Sequence, residues 1–238
     1  MSFVIEHQAW DSKLMGFPVG RLVGFRLSET ELRPILCGAQ QEGWRLLYWS
    51  VDPDDSISNR SARATKAFLA DRKVRFVQDV LLRPQPLPPT IVPAQTLTPR
   101  LLELAWQSGH QSRFRLDPGF APGVYEQLYE QWLRNSLSGE KARLVLQHPA
   151  APDAEATGLV TLEVRPGRAD IGLLAVHSSA RRQGIGRQLV QAARHYARAL
   201  QLPQLQVVTQ RANQEAFQFY QKEGFRLEHE EVVYHFWL

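Results

Sequence analysis

Ile171-Gly172-Leu173-Leu174-Ala175-Val176, His177-Ser178-Ser179-Ala180, Arg181-Arg182-Gln183-Gly184-Ile185-Gly186 and Arg187-Gln188-Leu189-Val190-Gln191-Ala192-Ala193-Arg194-His195-Tyr196 run consecutively, and their reading decides the fold. The apolar run 171–176 reads as a buried strand. Leu189, Ala192, Ala193 and Tyr196 recur at helical spacing on one face. Between the two lies a basic loop with two glycines one residue apart. A glycine loop that opens a helix aims unpaired backbone N–H groups at one point, where the helix dipole also favours an anion. Gly184 and Gly186 let a phosphate approach the backbone, and Arg181 and Arg182 add charge.

Downstream come a second strand, Leu205-Gln206-Val207-Val208-Thr209, then Asn213, and a helix over 214–221 carrying Tyr220. Upstream, Arg143 to Gln147 and Gly158 to Val164 alternate like strands, and Arg165-Pro166-Gly167-Arg168 reads as a hairpin turn. Thr98 followed by Pro99 opens a helix with a cap and a proline at its first position. Tyr125, Tyr129 and Trp132 mark one face of another helix, over Tyr125 to Ser136.

The stretch Leu82-Arg83-Pro84-Gln85-Pro86-Leu87-Pro88-Pro89-Thr90 is too rich in proline for a helix or a central strand. It divides the chain into an N-terminal α/β unit (1–83), a linker (84–92) and a larger domain (93–238). In the first unit, Trp44 to Val51 reads as a strand, Ser61 to Ala70 as a helix and Val74 to Leu82 as a strand. That order recurs loosely at the C-terminus, in 205–209, 214–221 and Phe225 to Trp237. The whole reads as a mixed α/β (α+β) fold around one central sheet.

Composition narrows the function. The net charge of +4 is too mild and too dispersed for nucleic acid and suits an anionic small molecule. No apolar run spans a bilayer and the N-terminus carries no signal-peptide pattern, so a cytoplasmic protein off the membrane is expected. The single cysteine, Cys37, excludes an internal disulfide and a cysteine-based metal site; it reads as a buried small hydrophobe on a helix. The apolar strand Val232 to Trp237 could join a partner's sheet in a homodimer or occupy an internal position.

The glycine loop lacks the Gly-Lys-Ser/Thr of a P-loop and the third glycine of a dinucleotide fingerprint. The order strand, R-x-x-G-x-G, helix, strand, Asn213 and Tyr220 resembles the coenzyme A site of the GNAT acetyltransferase superfamily. The resemblance implies a GNAT fold, preceded here by a partial GNAT-like unit, and acetyl-CoA as co-substrate with no metal. Leu174, Ala175 and Val176 would hold the pantetheine arm at a bulged, splayed strand and donate to the oxyanion. Backbone N–H groups of Arg182, Gln183, Gly184, Ile185, Gly186 and Arg187 would take the pyrophosphate. Asn213 would bind the coenzyme arm or cap its helix. Tyr220, two turns on, would protonate the leaving thiolate or pack in the core.

For the general base, Glu163 and Asp79 are candidates, though each reads first as a solvated surface carboxylate, as most Asp and Glu are. On the acceptor side, Arg113 and Arg115 flank Phe114 in a loop, an arrangement that forks onto phosphate while the ring stacks. The segments Trp10 to Phe17, Ser112-Arg113-Phe114-Arg115, Tyr129 to Leu133 and Ile171 to Ala175 are similar to a branch of the family acting on nucleotide-linked amino sugars. That resemblance implies acetylation of the 4-amino group of a dTDP-4-amino-4,6-dideoxy-galactose type sugar, for cell-surface polysaccharide, with Ser112, Arg113, Phe114, Arg115 and Tyr129 at the acceptor. It also marks a departure: that branch has an acidic residue where this chain reads Val77-Gln78-Asp79-Val80. A GNAT acting on a peptide N-terminus, a polyamine or an antibiotic, and a non-catalytic acetyl-CoA-binding module, are the alternatives.

Overall fold

Alternating strands and amphipathic helices assemble around one sheet in the computed structural model of the chain, which describes residues 3–80, 86–148 and 155–238. The N-terminal third contributes β1 (Val4–His7), α1 (Ala9–Met15), β2 (Val19–Val23), α2 (Glu29–Gln41), β3 (Leu46–Val51), α3 (Ser56–Ala64) and β4 (Phe68–Asp79). After the linker come β5 (Val92–Pro93), α4 (Pro99–Ser108), α5 (Arg113–Leu116), α6 (Val124–Leu137), β6 (Leu144–His148), β7 (Gly158–Arg165) and β8 (Arg168–Val176). The chain finishes with α7 (Ile185–Ala199), β9 (Gln204–Gln210), α8 (Gln214–Lys222) and β10 (Arg226–Trp237).

The strands run in the order β1-β2-β3-β10-β4-β9-β8-β7-β6-β5. The two sequence units therefore share one sheet: β4, from the first, lies between β9 and β10, from the second. Helices cover both faces. α7 and α8 bury Leu189, Val190, Ala193 and Phe217 against Val74, Phe76, Ile171 and Val207. On the opposite face α4 and α6 bury Leu101, Leu104, Leu128 and Leu133 against Val145, Leu159 and Leu173. α2 closes the N-terminal end over Leu22, Leu47, Trp49 and Phe236.

Three expectations need correction. The helix expected over Ser61 to Ala70 starts earlier, where Asp55 accepts the N–H groups of Ile57 and Ser58. It stops at Ala64, because Lys66 takes a left-handed φ of 60°; β4 then begins at Phe68, well before Val74. Cys37 is exposed: α2 turns Leu32, Ile35 and Ala39 inward, and a residue two positions from Ile35 points away. Of the two positions open to the apolar strand, the structure gives the internal one: Val232–His235 pair on both sides, and Phe236 and Trp237 pair with β3. The Arg113 loop is one turn of helix, α5.

Residues 84–85 of the proline-rich linker, with 81–83 just before them, lie outside the described residues. Its remainder straps onto α7, where Gln191 Nε2 donates to the Pro86 carbonyl at 2.9 Å and Leu87 packs on the core. No helix among the described residues is long and apolar enough to cross a membrane.

Candidate active site

β8 and β9 are hydrogen-bonded only from Arg168 to Ile171 and from Gln204 to Val207. Beyond that point they separate, so the edge of β8 facing β9 has no ladder partner there. A bulge drives the separation: Val160 and Leu162 of β7 face Leu174 and Ile171, which leaves β8 one residue longer. Thr161 Oγ1 holds it by accepting the Leu173 N–H at 2.8 Å. A Cβ at Gly172 would press on Glu163 Oε1 at 2.6 Å and Thr161 Oγ1 at 2.9 Å, so a side chain there would displace one of them.

A turn through Ser178–Ala180 then leads into the basic loop, and Gly184 enters α7 at a φ of 81° with no side chain capping the helix. The first-turn N–H groups thus stay bare. Gly186 sits where a Cβ would press to 3.3 Å from the Phe219 ring. Uncapped donors, no acidic residue in the first turn of α7 and a close backbone approach suit the diphosphate of a coenzyme.

Splay and loop open into one cavity of about 1380 Å³. Leu174, Ala175, Val176, Arg181, Arg182, Gly184, Ile185, Gly186, Arg187 and Asn213 all line it. Gln183 does not; it is exposed, and its amide points back to the Ser179 carbonyl. Asn213 caps α8, accepting the Ala216 N–H at 3.1 Å, while also facing the cavity. Tyr220 is buried against Phe76 and Phe225 and lines the same cavity. Burial pushes its phenol pKa up, so it stays protonated and able to donate.

Neither carboxylate anticipated as a base stands in a free position. Glu163 lines the cavity but is tied to Arg165 at 3.2 Å, to Lys141 at 3.6 Å and to the Trp132 indole N–H at 3.3 Å. Taking a proton would break that network. Asp79 lies at the far end of β4, outside this cavity, where it accepts from Gln204. The strand carries its cleft-facing charges eight and six residues earlier, at Asp71 and Lys73. Burial raises Asp71 to about 6, against the opposing pull of Lys73 and Arg113. Burial also lowers Lys73, with help from Arg113, to about 8. Asp11 of α1 joins them, raised by burial and held back by Arg113.

Arg113 faces this cluster over the Tyr48 ring, and its Nε is buried with no protein partner. Ser112, Phe114 and Tyr129 also line the cavity. Arg115 does not. Two residues apart on a helix turn point to opposite sides, and Arg115 turns to the His110 carbonyl at 3.1 Å and lies over the Tyr125 ring, 6.0 Å from its centroid. The fork of two arginines expected from the sequence is therefore a single one.

Residues 102–225, more than half of the chain, match the acetyltransferase (GNAT) family. This chain belongs to that family. It is also similar to dTDP-fucosamine acetyltransferase of Escherichia coli O6:H1, 34% identical over 141 residues. That match covers 58% of each chain, so the protein spans little more than half of the relative's length. Among solved structures, the fold is similar to a protein of unknown function from Staphylococcus epidermidis (TM-score 0.65, 10% identity, 95% of this chain and 88% of that one). A GCN5-related N-acetyltransferase from Sphaerobacter thermophilus aligns at TM-score 0.60 and 12% identity, over 98% and 75%. A tandem GNAT protein from the clavulanic acid biosynthesis pathway aligns at 0.58 and 14%, over 93% and 75%. At these identities the likeness is one of fold.

Proposed function

We propose that this GNAT protein transfers the acetyl group of acetyl-CoA to the 4-amino group of a nucleotide-linked amino sugar of the dTDP-4-amino-4,6-dideoxy-galactose type. One observation carries the reading: a single cavity joins the bare N–H groups of α7, across the β8–β9 splay, to a charged chamber holding Asp11, Asp71, Lys73 and Arg113. The partial likeness to the sugar acetyltransferase supports the choice of acceptor. When bound, acetyl-CoA supplies an acetyl group already activated as a thioester.

In this reading the chain's own groups divide the work. The α7 N-terminus, Arg181 and Arg182 grip the diphosphate of the coenzyme. The unpaired edge of β8 at Leu174–Val176 aligns the pantetheine arm and offers N–H to a carbonyl oxygen. Asp71, in place of Glu163 or Asp79, takes a proton from the acceptor ammonium; a carboxylate poised near 6 is a better base than an ordinary one. Tyr220 gives a proton from its hydroxyl to the leaving sulfur. Arg113 and Lys73 hold the anionic portion of the acceptor. The N-terminal unit, a degenerate half of the same architecture, thus completes the site by supplying β4.

Tyr220→Phe tests the assignment. The variant should bind coenzyme A as the parent does and lose roughly 10²–10⁴ in kcat, the range of general acid catalysis. Unchanged turnover would remove Tyr220 from the mechanism.

A further inference from the structure

Two buried acceptor atoms on the floor of the main cavity have no part in acetyl transfer itself. Gln206 of β9 and Asp170 of β8 stand side by side in the parallel ladder, so their side chains leave the sheet on the same face. Both line the cavity, and they are only 6% and 8% exposed. Gln206 Oε1 and Asp170 Oδ1 are nevertheless without a hydrogen-bond partner among the described residues. A buried acceptor left unpaired costs stability unless a ligand brings the donor.

Asp170 is held in place. Arg165 Nε donates to its Oδ2 at 2.7 Å, and Arg165 Nη2 donates to Glu163 Oε2 at 3.2 Å. Glu163 accepts in turn from the Trp132 indole N–H. Oδ2 is thereby occupied and Oδ1 left bare. Two bare acceptors side by side repel a phosphate or a carboxylate, and Arg165 at the same carboxylate disfavours a second cation. A neutral group carrying N–H and O–H donors meets both conditions. Val208, two residues from Gln206 on the same side of β9, adds an apolar surface that lines the cavity and is 45% exposed. An apolar patch beside an unpaired amide suits a flat heterocycle, its face on Val208 and its edge on Gln206.

Position along the floor indicates which heterocycle. Lys73 stands opposite Gln210 in the β4–β9 ladder, and Gln206 lies four residues farther along β9, about 13 Å away. Asp71 lies two residues from Lys73 in the other direction, about 7 Å. The floor thus presents, in order, a base for the amine, a cation for the diphosphate, and a donor-seeking pair beside an apolar patch. The parts of a sugar nucleotide follow in that same order.

We propose that Gln206 and Asp170 seat the nucleoside of the acceptor. Gln206 pairs its amide with the imide edge of a pyrimidine, Oε1 accepting the ring N–H and Nε2 donating to the neighbouring carbonyl, while Asp170 Oδ1 accepts from a pentose hydroxyl. The inference rests on the sugar-nucleotide reading above and adds to it the residues that recognise the nucleoside. No bond is made or broken there.

Titration calorimetry on the intact protein with dTDP and N3-methyl-dTDP tests the pairing, because the methyl group removes the one imide donor. The parent should bind dTDP about ten-fold more tightly, the loss expected for one buried hydrogen bond left unmade. Gln206→Leu should bind dTDP about as weakly as the parent binds the methylated compound, and should no longer tell the two apart. Its melting temperature should equal or exceed the parent's, since leucine removes a buried unpaired acceptor. In turnover its KM for the sugar nucleotide should rise about ten-fold, with kcat and the KM for acetyl-CoA unchanged. The parent should also lose about ten-fold on dTDP lacking its 3′-hydroxyl. A parent indifferent to N3-methylation, or a Gln206→Leu variant that keeps the penalty, would overturn the role of Gln206. Indifference to the 3′-hydroxyl would overturn that of Asp170. Failure of dTDP to bind while the sugar nucleotide is still acetylated would overturn the nucleoside seat alone. A parent that neither binds dTDP nor acetylates the sugar nucleotide would overturn the acceptor reading as well.

Discussion

The guanidinium of Arg113 lies over the Tyr48 ring, 4.3 Å from its centroid, and Tyr48 packs in turn against His235, the ring centroids 4.8 Å apart and the planes tilted by 35°. The first residue comes from α5, the other two from β3 and β10. A one-turn helix is thus clamped to the sheet so that one arginine faces the cleft. The clamp is extended by Asp117, which accepts from His235 Nδ1 at 2.6 Å and from the Trp237 indole at 3.0 Å.

This arrangement separates two arginines that the sequence presents as equivalents. Arg113→Ala should raise the KM for a nucleotide-linked sugar by about 10–100-fold, the range for losing a charge-assisted contact. Arg115→Ala should change it less than two-fold, because Arg115 faces away. Steady-state kinetics on both variants, with acetyl-CoA saturating, checks the contrast. Equal losses would contradict the geometry.

Asp71 and Lys73 give the reaction its expected pH dependence. A base raised to about 6 must be ionised to act, so kcat/KM should fall as pH drops through 6. Lys73, lowered to about 8, loses its charge as pH rises through 8, so the KM for an anionic acceptor should climb there. Asp71→Asn should abolish the acid limb together with most of the activity. Because Asp71 titrates higher when folded than unfolded, ionising it weakens the fold as pH rises from about 4 toward 6 and beyond. At pH 7 Asp71→Asn should therefore melt higher than the parent, at the expense of turnover.

The Asp117–His235 pair predicts the opposite trend for stability in acid. Burial pushes His235 down to about 4, so between the ordinary histidine range and 4 the unfolded chain takes up a proton that the folded one refuses. The contribution of neutral, buried His235 is complete above pH 6.5 and shrinks as pH falls toward 4. Thermal melts from pH 7 to 4.5 should show that decline. Asp117→Ala should cost roughly 1–3 kcal/mol at neutral pH, by leaving the buried His235 Nδ1–H without its acceptor.

Gly184 enters α7 at a positive φ that side chains rarely adopt. Gly184→Ala should weaken acetyl-CoA binding by about ten-fold through strain in the loop, a cost on the order of 1–2 kcal/mol. The KM for the acceptor should stay within two-fold, and calorimetry with coenzyme A checks the first effect separately from the second.

Why did the coenzyme side emerge from the sequence so much more fully than the acceptor side? The coenzyme grip is local: a strand, a glycine loop and a helix, with Asn213 capping the next helix, all within about forty residues and signalled by periodicity and glycine spacing. Tyr220 follows from the same helical period. The acceptor chamber is assembled from α1, β4, α5 and β7, which meet only because β4 inserts between β9 and β10. Asp71 and Lys73 share one side of a strand by a period of two, but that signal vanishes when the preceding helix is extended to Ala70. Arg115 was misplaced for a related reason, since a single helical turn has no periodicity to reveal it. Glu163 lines the cavity, but its pairing with Arg165 two residues along β7 and with Lys141 from the loop before β6 is not signalled by periodicity alone.

The most direct test of the proposed activity is incubation of the purified protein with acetyl-CoA and dTDP-4-amino-4,6-dideoxy-galactose, following thiol release and product mass together. The proposal predicts stoichiometric thiol release with formation of the N-acetylated sugar nucleotide, both slowed roughly 10²–10⁴-fold in Tyr220→Phe. Coenzyme A binding without acetylation of this sugar, or acetylation that survives Tyr220→Phe undiminished, would contradict it.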